Sequence, residues 1–235
     1  MSTTALGLIP VREGSKRLPG KNVADLGGKP LLAHTIEQAD AASELDRAVV
    51  STESDEFRRL AREYGGDAPF ARPDELATDD ATNKDVVEHA LDWFERIEDV
   101  TFDVVCMLQV TSPFRTAEDI DGALKTLCET DATSVVSTTP FDTPPFWAVK
   151  EADDYLQPYF GDDYLWSTTQ SQSVPTLRHP NGAVFAVEVE TFHKERNFYT
   201  DRTAEFEMPR ERSLDIDEPS DLELARALYA WRNDP

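Results

Sequence analysis

Cysteine is scarce in this chain of 235 residues, which contains only Cys106 and Cys128. With so few thiols we expect core cysteines in a reducing cytoplasm, and neither a disulfide nor a metal pair. Long apolar runs are missing as well, since none approaches the roughly 18 residues of a membrane span. At the N-terminus an apolar segment precedes the charges, which is unlike a signal peptide. We therefore expect a cytoplasmic protein with no membrane partner.

Basic residues are the second shortage. Lys and Arg total 23 against 46 Asp and Glu, the formal net charge is −23, and only seven of the bases are lysine. The acids are spread along the whole chain, which argues against a disordered acidic tail. This composition predicts a halophilic protein, because in multimolar salt the Debye length falls to roughly 3 Å and self-repulsion is screened. No broad basic face is left for phosphates, so we expect no nucleic-acid partner.

Apolar runs alternate with segments of helical periodicity. Strands are predicted over residues 5–10, 47–52, 103–110, 133–139 and 182–189, and helices over 30–42, 54–65, 116–130 and 220–232. This alternation predicts an α/β fold with a mostly parallel sheet and helices on both faces. The length fits a single domain over 1–235. Residues 140–180 break the pattern with prolines and aromatics, and we expect this excursion to cover a site or form a partner interface.

The stretch IPVREGSKRLPGKN (9–22), called the basic loop below, is the main exception to the acidic composition. It gathers four cations directly after the first apolar run and is too irregular for a helix. Ligands of an open parallel sheet bind beyond the carboxyl ends of the strands, where this loop lies. Backbone amides near Gly14 and Gly20 can approach phosphate oxygens, and the cations can neutralise them. A solvated surface loop is the alternative, but four cations in an acid-rich chain favour a phosphate site.

Two further polar clusters accompany the predicted strands and helices. TSPFR (111–115) follows the strand that ends near Gln109, and RPDELATDDATN (72–83) precedes a helical segment. Both clusters fit the rim of a ligand site. Taken alone, each is also explained by a helix cap or a connecting loop.

SLDIDEPSD (213–221) carries two carboxylates with the spacing of an extended segment. Asp215 and Asp217 alternate around Ile216, so both point to one face. Two convergent carboxylates are hard oxygen ligands suited to Mg²⁺ held jointly with substrate phosphates. The alternative is that Asp217 or Ser220 only caps the last helix.

Six segments occur in the order found in the acylneuraminate cytidylyltransferases, the CMP-sialic acid synthetase family: IPVREGSKRLPGKN, STESDE, RPDELATD, LQVTSPFR, PNGAVF and LDIDEPSDL. The chain resembles this family from residue 8 to residue 225. The resemblance implies a Rossmann-like nucleotidyltransferase fold that couples CTP to a nonulosonic acid, a nine-carbon 2-keto sugar acid, and releases pyrophosphate. It also implies a Mg²⁺ requirement and a homodimer in which the excursion packs on the partner subunit near the sugar pocket.

The resemblance also assigns residues by position. The nucleotide is expected to contact Arg12, Ser15, Lys16, Lys21, Asn22, Arg72 and Asn83. The sugar is expected to contact Gln109, Arg178 and Asn181, and the metal ligands are expected to be Asp215 and Asp217. The residues expected to act in catalysis are Arg12, Lys21 and Asp217.

Departures from the family pattern concern the sugar pocket. Ser171 stands where an arginine often touches the sugar, and Arg178 precedes PNGA with one residue more than a common spacing. Legionaminic-acid-type sugars therefore fit as well as sialic acid. Two other interpretations stay open: a 3-deoxy-octulosonate or other sugar nucleotidyltransferase, and a catalytically inactive nucleotide-sugar binding module.

Overall fold

The computed structural model describes residues 3–160 and 175–233. Its strands are β1 Ala5–Pro10, β2 Asp25–Leu26, β3 Lys29–Pro30, β4 Arg47–Ser51, β5 Val104–Met107, β6 Ser134–Pro140, β7 Val149–Ala152, β8 Tyr155–Pro158, β9 Arg178–Glu188 and β10 Thr203–Glu207. Its α-helices are α1 Leu31–Ala41, α2 Asp55–Glu63, α3 Asn83–Trp93, α4 Ala117–Glu129, α5 Val189–Glu195 and α6 Pro219–Asn233. Within these ranges no helix combines the length and apolarity needed to cross a bilayer.

Six strands form the central sheet in the order β10-β6-β9-β5-β1-β4. β1 pairs in parallel with β4 and β5, and β10 pairs in parallel with β6. β9 is antiparallel to both of its neighbours, β5 and β6. The predicted mostly parallel sheet is confirmed, with one reversed strand in its middle.

Side chains of the central strands alternate between two apolar cores, one on each face of the sheet. Ala5 and Ile9 of β1 belong to the core that includes residues of α1, α2, α4 and α6. Leu6 and Leu8 belong to the core built with α3 and α5. Strands buried on both faces need continuous apolar runs, and this is why the sequence of β1 lacks polar residues. Helices therefore cover both faces, as predicted.

Local signals fix the ends of several helices. Thr116 and Asp119 form the capping box of α4. Gly65 follows α2 with a φ of 80°, a conformation that glycine adopts without steric penalty. Cys106 is buried in β5 as expected, but Cys128 at the end of α4 is exposed, so the expectation of a core thiol is wrong there.

The described parts of the excursion include regular strands. β7 and β8 pair as an antiparallel hairpin outside the central sheet, and β9 already begins at Arg178. Residues 161–174, among them Ser171, lie outside the described residues. The register of β6 and β9 shifts between Val136 and Thr138, so β9 bulges over the residues that follow Pro180.

Candidate functional site

A cavity of about 560 Å³ opens at the edge of the sheet where β1 and β5 end. Four segments line it: the basic loop, residues 72–86, the residues that follow β5, and Asp217. Every predicted nucleotide residue lies on its wall, as does Gln109. The structure thus brings together segments that are far apart in the sequence, at the edge where open parallel sheets bind ligands.

One carboxylate holds two cations of the basic loop. Lys21 Nζ lies 2.9 Å from Asp217 Oδ1, and Arg17 Nη1 lies 2.9 Å from Asp217 Oδ2. The Lys21 side chain is only 13% exposed, whereas that of Arg17 is 67% exposed. Lys21 is therefore a fixed charge in the wall of the cavity, and Arg17 reaches in from solvent.

A second carboxylate, Asp79, holds the other two cations. Arg12 Nη2 lies 3.1 Å from Asp79 Oδ1, and Lys16 pairs with the other carboxylate oxygen of Asp79. Arg12 also donates to the backbone carbonyl of Thr78 at 3.0 Å. These pairs lower the pKa of Asp79, chiefly through the hydrogen bond from Lys16. Each of the four cations of the basic loop is thus paired with a carboxylate, either Asp79 or Asp217. A phosphate group could take the place of either carboxylate.

Arg72 is buried below the cavity, with 4% of its surface exposed. Its Nη2 donates to the carbonyl of Val11 at 2.9 Å and to Glu53 Oε2 at 2.7 Å. Burial of a guanidinium costs free energy unless a carboxylate pairs with it, and Glu53 does so here. The arginine therefore contributes a positive charge to the wall of the cavity.

The uncharged predicted residues have different surroundings. Asn22 Nδ2 donates to the carbonyl of Arg12 at 2.9 Å, which fixes the curve of the basic loop. Ser15 follows a turn in which its N–H donates to the carbonyl of Glu13. Asn83 is the exposed first residue of α3 and lines the cavity there. Asn22 is a brace for the loop, while Ser15 and Asn83 are free to meet a ligand.

Gln109 and Asp215 converge at the bulge of β9. A Cβ atom added to Gly182, whose φ is 79°, would lie 3.6 Å from Asp215 Oδ2 and 3.7 Å from both Gln109 Oε1 and Ser112 Oγ. The Ser112 hydroxyl is buried and has no hydrogen-bond partner among the described residues. The bulge thus leaves a polar recess beside the cavity, open because residue 182 has no side chain.

The two aspartates differ in charge compensation. Desolvation by the surrounding protein raises the pKa of Asp215, although its side chain keeps an open face, and the charge of Asp217 adds to the rise. Partial burial acts against the charge of Asp217 too, but Lys21 and Arg17 outweigh it and lower that pKa. In the part of the chain that the structure describes, Asp215 has no ion pair. A cation bound beside Asp215 would compensate its negative charge.

Helix capping does not account for Asp217. The Asp221 carboxylate accepts the backbone N–H groups of Asp217 at 3.0 Å and Glu218 at 2.8 Å, and it thereby caps the start of α6. The side chain of Asp217 is left for the basic loop. The simpler alternative considered from the sequence is therefore wrong for this residue.

Arg178, predicted to contact the sugar, is not among the described residues that line the cavity. Its guanidinium pairs with Glu205 at 3.1 Å and Glu207 at 2.6 Å on β10. Arg178 begins β9 opposite Pro140, and its partners belong to the edge strand beyond β6. The position of Arg178 in the sequence did not reveal that its side chain pairs with β10.

Asn181 is likewise an internal residue, so the predicted sugar contact is not supported. Its Oδ1 accepts from Ser137 Oγ at 2.6 Å and from the N–H of Ala183 at 3.2 Å. Its Nδ2 donates to Ser213 Oγ at 2.9 Å. With both ends of the amide bonded to protein, Asn181 holds the bulge of β9 in shape and leaves the ligand contact to neighbouring residues.

Arg115, expected at the rim, is instead buried beneath it with 1% of its surface exposed. It donates to the carbonyls of Gln109 at 3.1 Å and Ala183 at 2.7 Å, and to Gln38 Oε1 at 2.9 Å. Burial lowers its pKa to about 10. Arg115 ties β5 to β9 and thereby sets the position of Gln109.

Sequence reasoning missed Glu53 and Asp79, the carboxylates that organise the cations. Glu53 follows β4, and it belongs to the segment STESDE. Because β4 ends at the same edge of the sheet as β1, its position could have marked it as a site residue. Asp79 offered no such signal, since one acid in the run TDDAT looks like any other.

Comparisons with known proteins agree with this geometry. Residues 6–233 match the cytidylyltransferase family. The chain is 34% identical to an N-acylneuraminate cytidylyltransferase of Escherichia coli O18:K1:H7 over 99% of this chain and 54% of that protein. It is also 34% identical to a CMP-N,N'-diacetyllegionaminic acid synthase of Legionella pneumophila, over 95% of each. The chain thus spans about half the length of the first relative and nearly all of the second.

A solved structure supports the fold. The CMP:2-keto-3-deoxy-manno-octonic acid synthetase complexed with CTP superposes with a TM-score of 0.71 at 19% identity, covering 98% of this chain and 100% of that one. At this identity the likeness concerns the fold alone. The matched family and the relatives do more: this chain belongs to the cytidylyltransferase family, which confirms the resemblance carried by its six sequence segments.

Proposed function

We propose that this protein transfers the CMP group of CTP to a nonulosonic acid and releases pyrophosphate. The observation that carries the proposal is the meeting of four cations, Arg72, and the carboxylates of Asp79 and Asp217 at one cavity at the carboxyl edge of the sheet. The two relatives described above, whose names refer to sialic and legionaminic acid, support a sugar of this class.

The ion pairs of the basic loop indicate how CTP would bind. Arg12 and Lys16 face Asp79, while Lys21 faces Asp217. Phosphate oxygens would take the place of these carboxylates, so the cations exchange one set of anions for another. Charge-assisted contacts of this kind are stronger than neutral hydrogen bonds. Arg12, Ser15, Lys16, Lys21 and Asn22 would surround the triphosphate.

The reaction that we propose is an in-line transfer at phosphorus. The anomeric hydroxyl oxygen of the sugar forms a bond to the α-phosphorus, and its proton passes to solvent water. The bond between the α-phosphorus and the oxygen that bridges it to the β-phosphorus breaks, and pyrophosphate leaves with that electron pair. Transfers of this type depend on positioning and charge neutralisation. Lys21, held in the wall of the cavity, and Arg12 would stabilise the charge on the leaving pyrophosphate.

The residues present fit a magnesium ion, and we propose Asp215 and Asp217 as its protein ligands. Asp215 has no ion pair among the described residues and burial raises its pKa, despite a hydrogen bond with Thr111, and the missing side chain of Gly182 leaves room beside its Oδ2. No group of three potential metal-binding side chains occurs in residues 3–160 and 175–233. Two carboxylates completed by phosphate oxygens and water are a usual environment for this ion. When bound, Mg²⁺ supplies charge neutralisation and acidifies a coordinated hydroxyl.

Gln109 and the recess at Gly182 would form the sugar end of the site. Arg115 fixes the backbone of Gln109, so the amide of this side chain is presented at a set position. Arg178 and Asn181 are engaged elsewhere, which leaves fewer protein groups for the sugar than the sequence suggested. The choice between sialic and legionaminic acid would then rest on groups near this recess.

Pyrophosphate release is the direct test. CTP, ATP, GTP and UTP are each combined with N-acetylneuraminate, N,N'-diacetyllegionaminate or 3-deoxy-octulosonate, with Mg²⁺ and in concentrated KCl. We expect release with CTP and a nine-carbon acid, and none from Asp217→Asn at moderate Mg²⁺. Turnover only with the eight-carbon sugar would establish the alternative enzyme. No turnover, together with CTP binding in calorimetry, would indicate a binding module.

We propose that a second copy of the chain covers the β7–β8 hairpin. Tyr155, Leu156, Tyr159 and Phe160 are between 56% and 76% exposed there, a concentration of apolar surface that is unusual for a monomer. Sedimentation of Leu156→Glu should show a shift to monomer. Leu224→Glu, at a 58% exposed position on α6, is the matched control and should stay dimeric. A monomeric wild type would refute this assembly.

The cellular setting that we propose is a salt-rich cytoplasm. The support is the excess of 46 acids over 23 bases together with two free thiols. Thiols persist where the environment is reducing, and a highly acidic surface is tolerated where salt screens it.

A further inference from the structure

The segment STESDE (51–56) supplies a carboxylate to which the proposed reaction assigns no role. Glu53 lies two residues beyond the end of β4, and its side chain is 15% exposed. Charged side chains are rarely this enclosed without specific partners. The partners of Glu53 show what its charge does.

Glu53 joins the two parts of the nucleotide site. Its Oε2 accepts a hydrogen bond from Arg72 Nη2 at 2.7 Å, and its Oε1 accepts from the backbone N–H of Glu13 at 2.8 Å. Glu13 belongs to the basic loop, and Arg72 begins the segment that forms the opposite wall. A single carboxylate thus links β4, the basic loop and Arg72.

The remaining contacts of Arg72 show what this link achieves. Both of its side-chain hydrogen bonds within the described residues use Nη2, toward Glu53 and the carbonyl of Val11. The side chain lines the cavity, so Nη1 is left for a ligand. Without Glu53 the guanidinium would lose its only ion pair in the described part of the chain and would be free to turn.

Glu53 keeps its negative charge in this position. Burial acts against the charge, but hydrogen bonds from the N–H groups of Glu13 and of Glu53 itself, together with Arg72, outweigh it and lower the pKa of Glu53. The carboxylate is therefore ionised at neutral pH, and it can accept from both partners at once.

We propose that Glu53 is a positioning residue for the nucleotide: it sets the distance between the basic loop and Arg72 and orients the Arg72 guanidinium toward CTP. This inference rests on the proposed function. It adds a residue that does not touch the substrate but determines where two substrate-binding groups lie.

Glu53→Gln tests the proposal with almost no change of shape. A carboxylate accepts at both oxygens, whereas an amide accepts at one end and donates at the other. In either orientation the amide therefore turns a donor toward Arg72 or toward the N–H of Glu13. Misplacement by about 1 Å can reduce catalysis about 100-fold, so we expect KM for CTP to rise about 10- to 100-fold. KM for the sugar should stay within about twofold, because the recess at Gly182 is untouched.

Two further variants separate positioning from folding. Glu53→Asp keeps the charge on a shorter arm and should bind CTP with an affinity between those of Glu53→Gln and the wild type, measured by calorimetry below the melting temperature. Glu56→Gln changes an exposed acid three residues away and should bind CTP as the wild type does.

A folded Glu53→Gln protein with wild-type KM for CTP would overturn the proposal, as would equal rises in KM for CTP and sugar. Failure of the wild type to use CTP would instead overturn the proposed function.

Discussion

Replacing Gly182 by alanine should disable the site far more than it destabilises the fold. Gly182 lies in the bulge of β9 with a φ of 79°. Its missing side chain creates the recess beside Asp215 and Gln109. The variant adds one methyl group at the point where the proposed sugar and metal ends of the site meet.

The expected loss of stability follows from the backbone conformation. A residue with a Cβ atom costs about 1–2 kcal/mol in the left-handed region. The new methyl would lie 3.6–3.7 Å from its neighbours, which is ordinary van der Waals contact and adds no clash. For a chain of this size each kcal/mol lowers the melting temperature by about 2–4 °C, so we expect a decrease of about 2–8 °C.

Activity should decrease much further, because the methyl fills space that a ligand needs beside Asp215 Oδ2 and Gln109 Oε1. We expect kcat/KM for the sugar to fall at least about 100-fold, the scale of an approximately 1 Å displacement in an active site. The assay is pyrophosphate release with the preferred sugar. Calorimetric melting of the same samples measures the stability term.

Gly65→Ala provides a matched control. Gly65 has a φ of 80°, and a Cβ atom there would meet nothing within 4 Å. Both variants therefore bear the same backbone penalty and should melt at similar temperatures, but only Gly182→Ala should lose activity. If both variants kept wild-type turnover, the recess would not be part of the site.

Three further predictions concern charge. Asp215→Asn should melt at the same or a higher temperature without Mg²⁺, yet release little pyrophosphate, because burial acts against the charge of Asp215; a clear loss of stability would contradict this reasoning. Because the fold raises the pKa of Asp215 above its ordinary value of 3.8, protonation of Asp215 favours the folded state. This contribution to stability is complete below pH 3.8 and is lost as the pH rises through the raised pKa. Asp79→Asn should bind CTP severalfold more tightly in calorimetry, because Arg12 and Lys16 lose a competing anion; weaker binding would refute this. Melting temperature should rise steeply along a KCl series, and a flat series would exclude adaptation to salt.

Apolar patterning was sufficient to predict most of the fold. β1 and β5 were predicted because strands buried on both faces have continuous apolar sequences. The direction of β9 could not be predicted in this way. A strand buried on both faces has the same pattern whether it runs parallel or antiparallel, so only pairing with β5 and β6 reveals its reversal.

The candidate site was predictable where one segment supplies the chemistry, as the basic loop does. It was not predictable where a role depends on which neighbour a side chain meets. Arg178 and Asn181 stand in the expected segment, yet β10 engages the first and Ser137 and Ser213 the second. Glu53 acts through residues 40 and 19 positions away, Glu13 and Arg72, and no local pattern records such contacts.

The reversed direction of β9 also makes this fold modular. β6 ends at the ligand edge, and β9 starts from the same edge, so the 37 residues between Pro140 and Arg178 form one long insertion whose two ends are fixed in adjacent strands. Such an anchored insertion can change in length or composition without disturbing the register of the sheet. A chain of this family can therefore vary between β6 and β9 while the central sheet keeps its strand order.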